Sequence, residues 1–422
     1  MIKGVAMSSV SVLFLSAMVL GMSVTTSRSD AVEEAEAGVV VARANVAASP
    51  NIAARGSYRN SLSRFEVAKQ GRVAFLGGSI TEMEGYRPML EKSIRDRFPD
   101  SKLDFVNAGI SSTCSTTGAF RLSEDVFAKG PVDLLFVEFA VNDDQDGMHA
   151  SRECGRGLEG VLHRARSLNP NIDIVVTYFV NPQMLALLQQ GKTPVSIAAH
   201  EAVCQHYNVS TVHLAQEVAD QIKSGQLTWE VYGGTHPKPA GNRIAADLCW
   251  TLLTHAWEGK PTSELTPHIM PKELLDAGAY INGTMIRPNE KWLTEGWSLD
   301  VPDWKKLPGQ SRSRFEKLEI LSATEPGRTM TVPFVGTAIG AFVLAGPDAG
   351  QVDVQVDGGE VKRVEVYHNY SRGLHYPRTV MFFTDLPAGP HVLNLTIAPT
   401  KHEHSQGHAL RLMRFAVGGP QP

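Results

Sequence analysis

The chain lacks an excess of charge of either sign, any clustering of cysteine, and any internal repeat. Its 40 Lys and Arg against 44 Asp and Glu leave a formal net charge of −4. No basic stripe forms, which excludes a nucleic-acid binder, whose affinity comes largely from neutralising phosphates. Four cysteines, Cys114, Cys154, Cys204 and Cys249, have no zinc-like spacing. In an oxidising compartment they allow two disulfides in three connectivities, whereas a domain with its own core can keep them as free buried thiols. The N-terminus carries an apolar stretch of about residues 5–24, behind Lys3. Ser/Thr-rich and acidic residues then lead to Ala35-Glu36-Ala37. This order predicts a signal peptide over 1–37, and a mature protein that is periplasmic or secreted, with no membrane contact after cleavage. A retained anchor is the alternative, because the stretch approaches spanning length. No cysteine follows it directly, so a lipoprotein anchor is unsupported.

What is present reads as an ordinary globular protein, with 43% hydrophobic and 20% charged residues. A length of 422 residues favours two domains. After a flexible leader over 38–65, apolar β-rich runs at 72–76, 103–107, 134–139, 172–179 and 209–214 alternate with helical stretches at 87–98, 151–168 and 195–207. A last helix is predicted over 240–257. Near-continuous apolar strands separated by helices are the pattern of a parallel sheet buried on both faces. The fold class predicted for 66–260 is therefore a three-layer α/β/α sandwich with a mainly parallel sheet. A stretch rich in Pro, Gly and charge, 261–304, reads as a linker with a short hairpin near 280–286. Over 305–422 short β-like segments recur at 317–321, 329–335, 338–344, 351–356, 361–367, 379–384 and 391–397. Turn residues at Asp357-Gly358-Gly359 and Pro387-Ala388-Gly389 separate them. Strands without helices predict a C-terminal all-β, jelly-roll-like sandwich.

Chemistry concentrates at four places in the first domain. Ser79 follows the run Val73-Ala74-Phe75-Leu76 in Gly77-Gly78-Ser79, where glycines let the backbone turn and leave the hydroxyl uncovered. Asn107-Ala108-Gly109, Ala140-Val141-Asn142-Asp143 and Gly234-Thr235-His236-Pro237 follow at wide spacing. Open α/β sheets bind ligands beyond the carboxyl ends of their strands, where Ser79, Gly109 and Asn142 all fall. A serine needs a base to act as nucleophile near neutral pH, and His236 is the candidate. Serine, glycine, asparagine and histidine in this order resemble the signature blocks of the SGNH (GDSL-like) hydrolases, across roughly residues 70–257. The resemblance implies a flavodoxin-like α/β domain and a catalytic set of Ser79, His236, Gly109 and Asn142. The amides of Ser79, Gly109 and Asn142 would form the oxyanion hole, and neither metal nor organic cofactor is required.

One position departs from that family. Its aspartate three residues before the histidine is here Gly233, and no acidic residue lies nearer upstream than Glu230. Glu230, Asp143 or Glu138 could take the role, a backbone carbonyl could hold the imidazole, or the site could be impaired. Gly78, Glu82 and Arg121 are candidates to line a polar pocket. In the second domain Tyr367, His368, Arg372 and His375 are candidates to stack on sugar rings or donate to their hydroxyls. The histidine-rich run 401–408 reads as a solvated loop, and His200 and His213 as structural. Together these features predict an exported serine esterase that removes acyl groups, most simply O-acetyl, from a polysaccharide or oligosaccharide. A carbohydrate sulfatase on the same fold, or a glycan-binding protein with a decayed site, are the competing readings.

Overall fold

The computed structural model describes residues 49–419, so the predicted signal peptide and residues 38–48 of the leader lie outside the described residues. The first sheet contains β1 (Ile52–Ala53), β2 (Gln70–Gly77), β3 (Lys102–Gly109), β4 (Leu134–Glu138), β5 (Asp173–Thr177) and β6 (Ser210–Val212), in the order β1-β6-β5-β4-β2-β3. Strands β2 to β6 are parallel. The interior strands β4 and β5 are buried at every residue, which is why they read as unbroken apolar runs rather than alternating ones. Leaving β1 aside, the order is the flavodoxin-like 2-1-3-4-5, whose direction reverses between β2 and β4. In such sheets the crevice beyond that reversal is where ligands bind.

The expected loose leader is folded over 49–65. β1 adds an antiparallel edge to β6, and Tyr58, Leu62 and Phe65 are buried in the core. The tyrosine hydroxyl donates to the Ile174 carbonyl at 2.5 Å. Three apolar side chains within eight residues are a burial signal that outweighs the small polar residues around them.

The second half is a sandwich of two antiparallel sheets. One has the order β10-β15-β12-β13, from Thr329–Gly336, Gly389–Ile397, Gln351–Val356 and Lys362–Glu365. The other has the order β14-β11-β16-β9-β8, from Tyr376–Phe383, Ala338–Ala345, Leu410–Gly418, Ile320–Ala323 and Ser298–Asp300; β7 (Gly283–Ile286) also pairs with β16. The stretch expected as a linker thus supplies two strands, and the expected hairpin near 280–286 is one strand paired to β16.

β11 shows how the halves join. Successive side chains of a strand point to opposite faces. Ile339, Ala341, Val343 and Ala345 enter the sandwich core, while Ala338, Phe342 and Leu344 join the core of the α/β half. The whole strand is buried as a result. Buried Arg156, on the helix Ser151–Leu168, adds a charged tie by pairing with Asp276 at 3.0 Å and with Asp385. All four cysteines are buried free thiols, so the two-disulfide alternative is not what forms. Among the described residues no helix is long and apolar enough to cross a membrane.

Candidate active site

β2 ends at Gly77, and the chain turns through Gly78 into a one-turn helix, Ser79–Glu82. The first N–H groups of a helix have no partner within it. Here Glu138, at the end of β4, accepts from Gly78 N at 2.9 Å, Thr81 N at 3.2 Å and Thr81 Oγ1 at 2.8 Å. The Ser79 N–H is left without an acceptor among the described residues, beside its own half-buried hydroxyl. Burial pushes the Glu138 carboxyl up to about 7, against the three donated hydrogen bonds. Glu138 is thus the brace of the turn that carries Ser79, not a partner of the histidine.

That role makes a prediction. Glu138→Ala strands three buried donors at about 1–3 kcal/mol each, so a loss of roughly 3 kcal/mol or more in urea unfolding is expected. Sign follows from the raised carboxyl. The stability contributed by its bound proton is full below the unfolded value of 4.5 and lost as pH climbs through about 7. Glu138→Gln should therefore abolish that decline, and an unchanged slope in the Gln variant would refute the assignment.

His236 stands on the loop before the helix Pro239–Ala256, and its Nε2 lies 2.8 Å from Ser79 Oγ. Asn242 holds this loop by donating to the Pro237 carbonyl at 2.6 Å and accepting from Tyr86 N at 2.9 Å. Accepting from the serine requires Nε2 unprotonated, which puts the proton on Nδ1. That nitrogen has no acceptor among the described residues. Glu230, Asp143 and Glu138, the expected alternatives for a third member, make no hydrogen bond to His236. Asp143 accepts instead from Ser115 N, Ser115 Oγ and His200 Nε2 at 2.8, 2.6 and 2.9 Å. Gly233 explains the missing aspartate physically. It ends the short helix Trp229–Tyr232 in a left-handed conformation with φ of 110°, and a Cβ there would lie 2.2 Å from Lys238 N.

Asn142 follows β4 in the helix Ala140–Gln145 and is 2% exposed. Its carboxamide fills the space where Gly78 lacks a Cβ, which would otherwise meet Asn142 Oδ1 at 2.1 Å. Nδ2 donates to Asp146 Oδ2 at 2.7 Å, and Oδ1 has no partner. Asp146 Oδ1 accepts in turn from the hydroxyl of Tyr376, at the start of β14. Sequence reasoning missed Asp146, although it lies one helical turn after Asn142 and so shares its face.

Other expectations fare differently. Gly109 N–H is donated to Asn107 Oδ1 at 3.0 Å, so it does not join the hole in this state. Its glycine is required because a Cβ would sit 2.3 Å from Glu82 N. Gly78 N–H is taken by Glu138. Glu82 pairs with Arg314 and accepts from Ser111 N at 2.8 Å. Arg121 is buried, donating to Asp125 at 2.8 Å and the Gly77 carbonyl at 3.1 Å. Its guanidinium is a support under β2, not a pocket group. Arg312 donates to Ser111 O at 2.6 Å and Ser112 Oγ at 2.9 Å, so the 310–315 stretch straps the rim beside Ser79.

In the sandwich half, Tyr367 and His375 are buried, with Tyr367 stacked on His402 at 4.7 Å and His375 edge-on to Trp304 at 5.0 Å. His368 stacks flat on Tyr376 at 4.4 Å. Burial pushes the His368 and His375 imidazoles down to about 4, so both are neutral at pH 7. Arg372 is exposed, as is Tyr370, whose ring leans on Tyr376.

Cys114, Asp143 and His149 bring a thiol, a carboxylate and an imidazole within 4.8 Å of one another. Burial and the nearby Asp143 and Asp146 hold the Cys114 thiol well above its ordinary range, and the Asp143 oxygens already accept three hydrogen bonds. This chemistry fits a hydrogen-bonded core better than a metal centre.

Residues 75–244 match the sequence profile of the GDSL-like lipase/acylhydrolase family. The SGNH-type segment and sandwich together are similar to a two-domain esterase (CEX) active on acetylated mannans, one crystal of which contains mannopentaose. The match has a TM-score of 0.71 and 19% identity, covering 88% of this chain and 98% of that one. An acetylxylan esterase from Geobacillus stearothermophilus, Axe2, covers 45% of this chain and 95% of its own at 17% identity and a TM-score of 0.36. No curated protein sequence matches the chain.

Proposed function

We propose that the chain is an exported serine esterase that removes O-acetyl groups from a carbohydrate. The observation that carries the reading is the 2.8 Å Ser79–His236 pair, set beyond the carboxyl end of β2 at the point where strand order reverses. Ser79 Oγ attacks the ester carbonyl while His236 Nε2 takes its proton. The Ser79 N–H and the free Nδ2 hydrogen of Asn142 meet the oxyanion. Collapse of the tetrahedral intermediate expels the sugar hydroxyl, which receives the proton from His236. Water, deprotonated by His236, attacks the acetyl-serine, and acetate leaves with Ser79 regenerated.

A glycan substrate is supported by the two-domain similarity to an esterase active on acetylated mannans, and by the exposed Tyr370 ring beside the site. Neutral His368 and His375, and rim arginines already spent on Glu82 and the Ser111–Ser112 backbone and hydroxyl, weigh against a sulfated one. Export rests on the 5–24 stretch. The test is acetate release from acetylated mannan and from p-nitrophenyl acetate by the purified chain, with sulfate release from sulfated glycans measured alongside. Acetate is expected. Sulfate alone would move the site to sulfate esters. Neither product, with no labelling of Ser79 by a serine-reactive phosphonate, would leave a glycan-binding protein.

A further inference from the structure

We infer that Tyr376, contributed by the β-sandwich half, is a positioning residue for the oxyanion hole, acting through Asp146 on the carboxamide of Asn142. The inference rests on the esterase reading above.

The contact chain is short and dry. The Tyr376 hydroxyl donates to Asp146 Oδ1, and Asp146 Oδ2 accepts from Asn142 Nδ2 at 2.7 Å. Tyr376, Asp146 and Asn142 are 1%, 6% and 2% exposed. An ionised carboxylate accepts and cannot donate. It therefore decides which end of the Asn142 carboxamide is nitrogen, leaving the second Nδ2 hydrogen for the oxyanion. Without a charged Asp146 the carboxamide is free to turn over, and Oδ1 would then face a developing negative charge. Oδ1 has no partner of its own to resist that turn.

Keeping Asp146 charged is the part Tyr376 plays. Burial pushes this carboxyl up, and hydrogen bonds from Tyr376, Asn142 and Gln145, together with the nearby His236, pull it back. The groups facing it are few. Tyr376, Tyr370 and His368 come from the sandwich, His236 from its loop, Arg312 from the strap, Cys114 from the adjoining helix start, and Asn142 and Gln145 from its own helix. Tyr376 stays a donor because burial and Asp146 push its phenol far above its ordinary value. Its ring is held in place, stacked on His368 at 4.4 Å with the Tyr370 ring tilted against it at 5.6 Å, while its backbone pairs with Ala345 of β11. The second domain therefore reaches the carboxamide of Asn142 through the Tyr376 side chain.

Tyr376→Phe keeps the stack and removes the hydroxyl. In the full chain acting on p-nitrophenyl acetate, kcat is expected to fall about 10- to 100-fold, the size of effect seen when a reacting group is misplaced by an ångström. KM should stay within about twofold, since an interaction made mainly in the transition state is lost. The acid limb of kcat should move to higher pH, because Asp146 loses a donor that favours its charge. A tyrosine that only ties the domains together would lower the melting temperature and leave that limb in place. A folded Tyr376→Phe with wild-type kcat, or with reduced kcat but an unmoved acid limb, overturns the inference. Should Tyr376→Phe fail to fold, Asp146→Asn reads the same coupling. It keeps the shape but lets either end of its amide face Asn142, so wild-type kcat in that variant overturns the inference too. An inactive wild type would sink the esterase reading, whereas an active wild type with an indifferent Tyr376→Phe sinks this inference alone.

Discussion

Ser79→Ala is expected to lower kcat on acetyl esters by about 10⁵- to 10⁶-fold, and His236→Ala by about as much, because nucleophile and base act as one unit. The double variant should be no worse than either single one. That non-additivity is the sharper test, since two residues contributing separately would multiply their losses. The residual rate in all three variants would come from the oxyanion donors and substrate binding, which the substitutions leave in place. Glu230→Gln should leave kcat unchanged, as the side chain makes no hydrogen bond to His236. Gly233→Asp, which restores the aspartate of related enzymes at the sequence level, should fail to raise activity and should destabilise the fold. Its φ of 110° and the 2.2 Å approach of a Cβ to Lys238 N bar a side chain there. A large gain in kcat from Gly233→Asp would show that the loop can rearrange and that the pair is an incomplete triad. Equal losses from Ser79→Ala and His236→Ala, with no gain from the aspartate, would define a working pair.

The turn that carries Ser79 was legible in the sequence because its signals are local. An apolar run that stops at two glycines before a serine encodes a buried strand, a turn and an uncovered hydroxyl within seven residues. β4 and Asn142 were legible for the same reason. What could not be read was each side chain's partner, which comes from tertiary placement. Glu138 and Arg121 looked available and are consumed supporting β2; Gly109 looked like a donor and gives its hydrogen to Asn107. Tyr376 directly follows the candidates Tyr367 to His375, yet only the docking of β11 against the α/β core brings its hydroxyl to Asp146. β16 escaped notice although it is central to its sheet. Its Arg411 breaks the apolar run, and nothing nearby reveals that Asp348 pairs with that arginine through two hydrogen bonds of 2.7 and 2.8 Å.

Asn142 carries the second large effect. Asn142→Ala should cost about 100- to 1000-fold in kcat with KM little changed, the usual loss of one oxyanion donor. Gly78→Ala should approach the same loss from the opposite side of the contact. Its φ of −89° suits any residue, so the damage is steric: the new methyl needs the volume that Asn142 Oδ1 occupies, 2.1 Å away. Asn142 cannot retreat cheaply, because Asp146 holds its other end at 2.7 Å. Once Asn142 is already alanine, however, that volume is empty and a methyl at 78 costs little. Gly78→Ala combined with Asn142→Ala should therefore be no slower than Asn142→Ala alone, with the coupling read from the four kcat values as a double-mutant cycle. Asn142→Asp should be slower than Asn142→Ala, since it places a carboxylate against both Asp146 and the oxyanion. If the Gly78 and Asn142 losses multiply instead, the glycine serves the turn of the nucleophile and the carboxamide acts without it. If they overlap, the absent Cβ is what lets the asparagine reach the reacting oxygen.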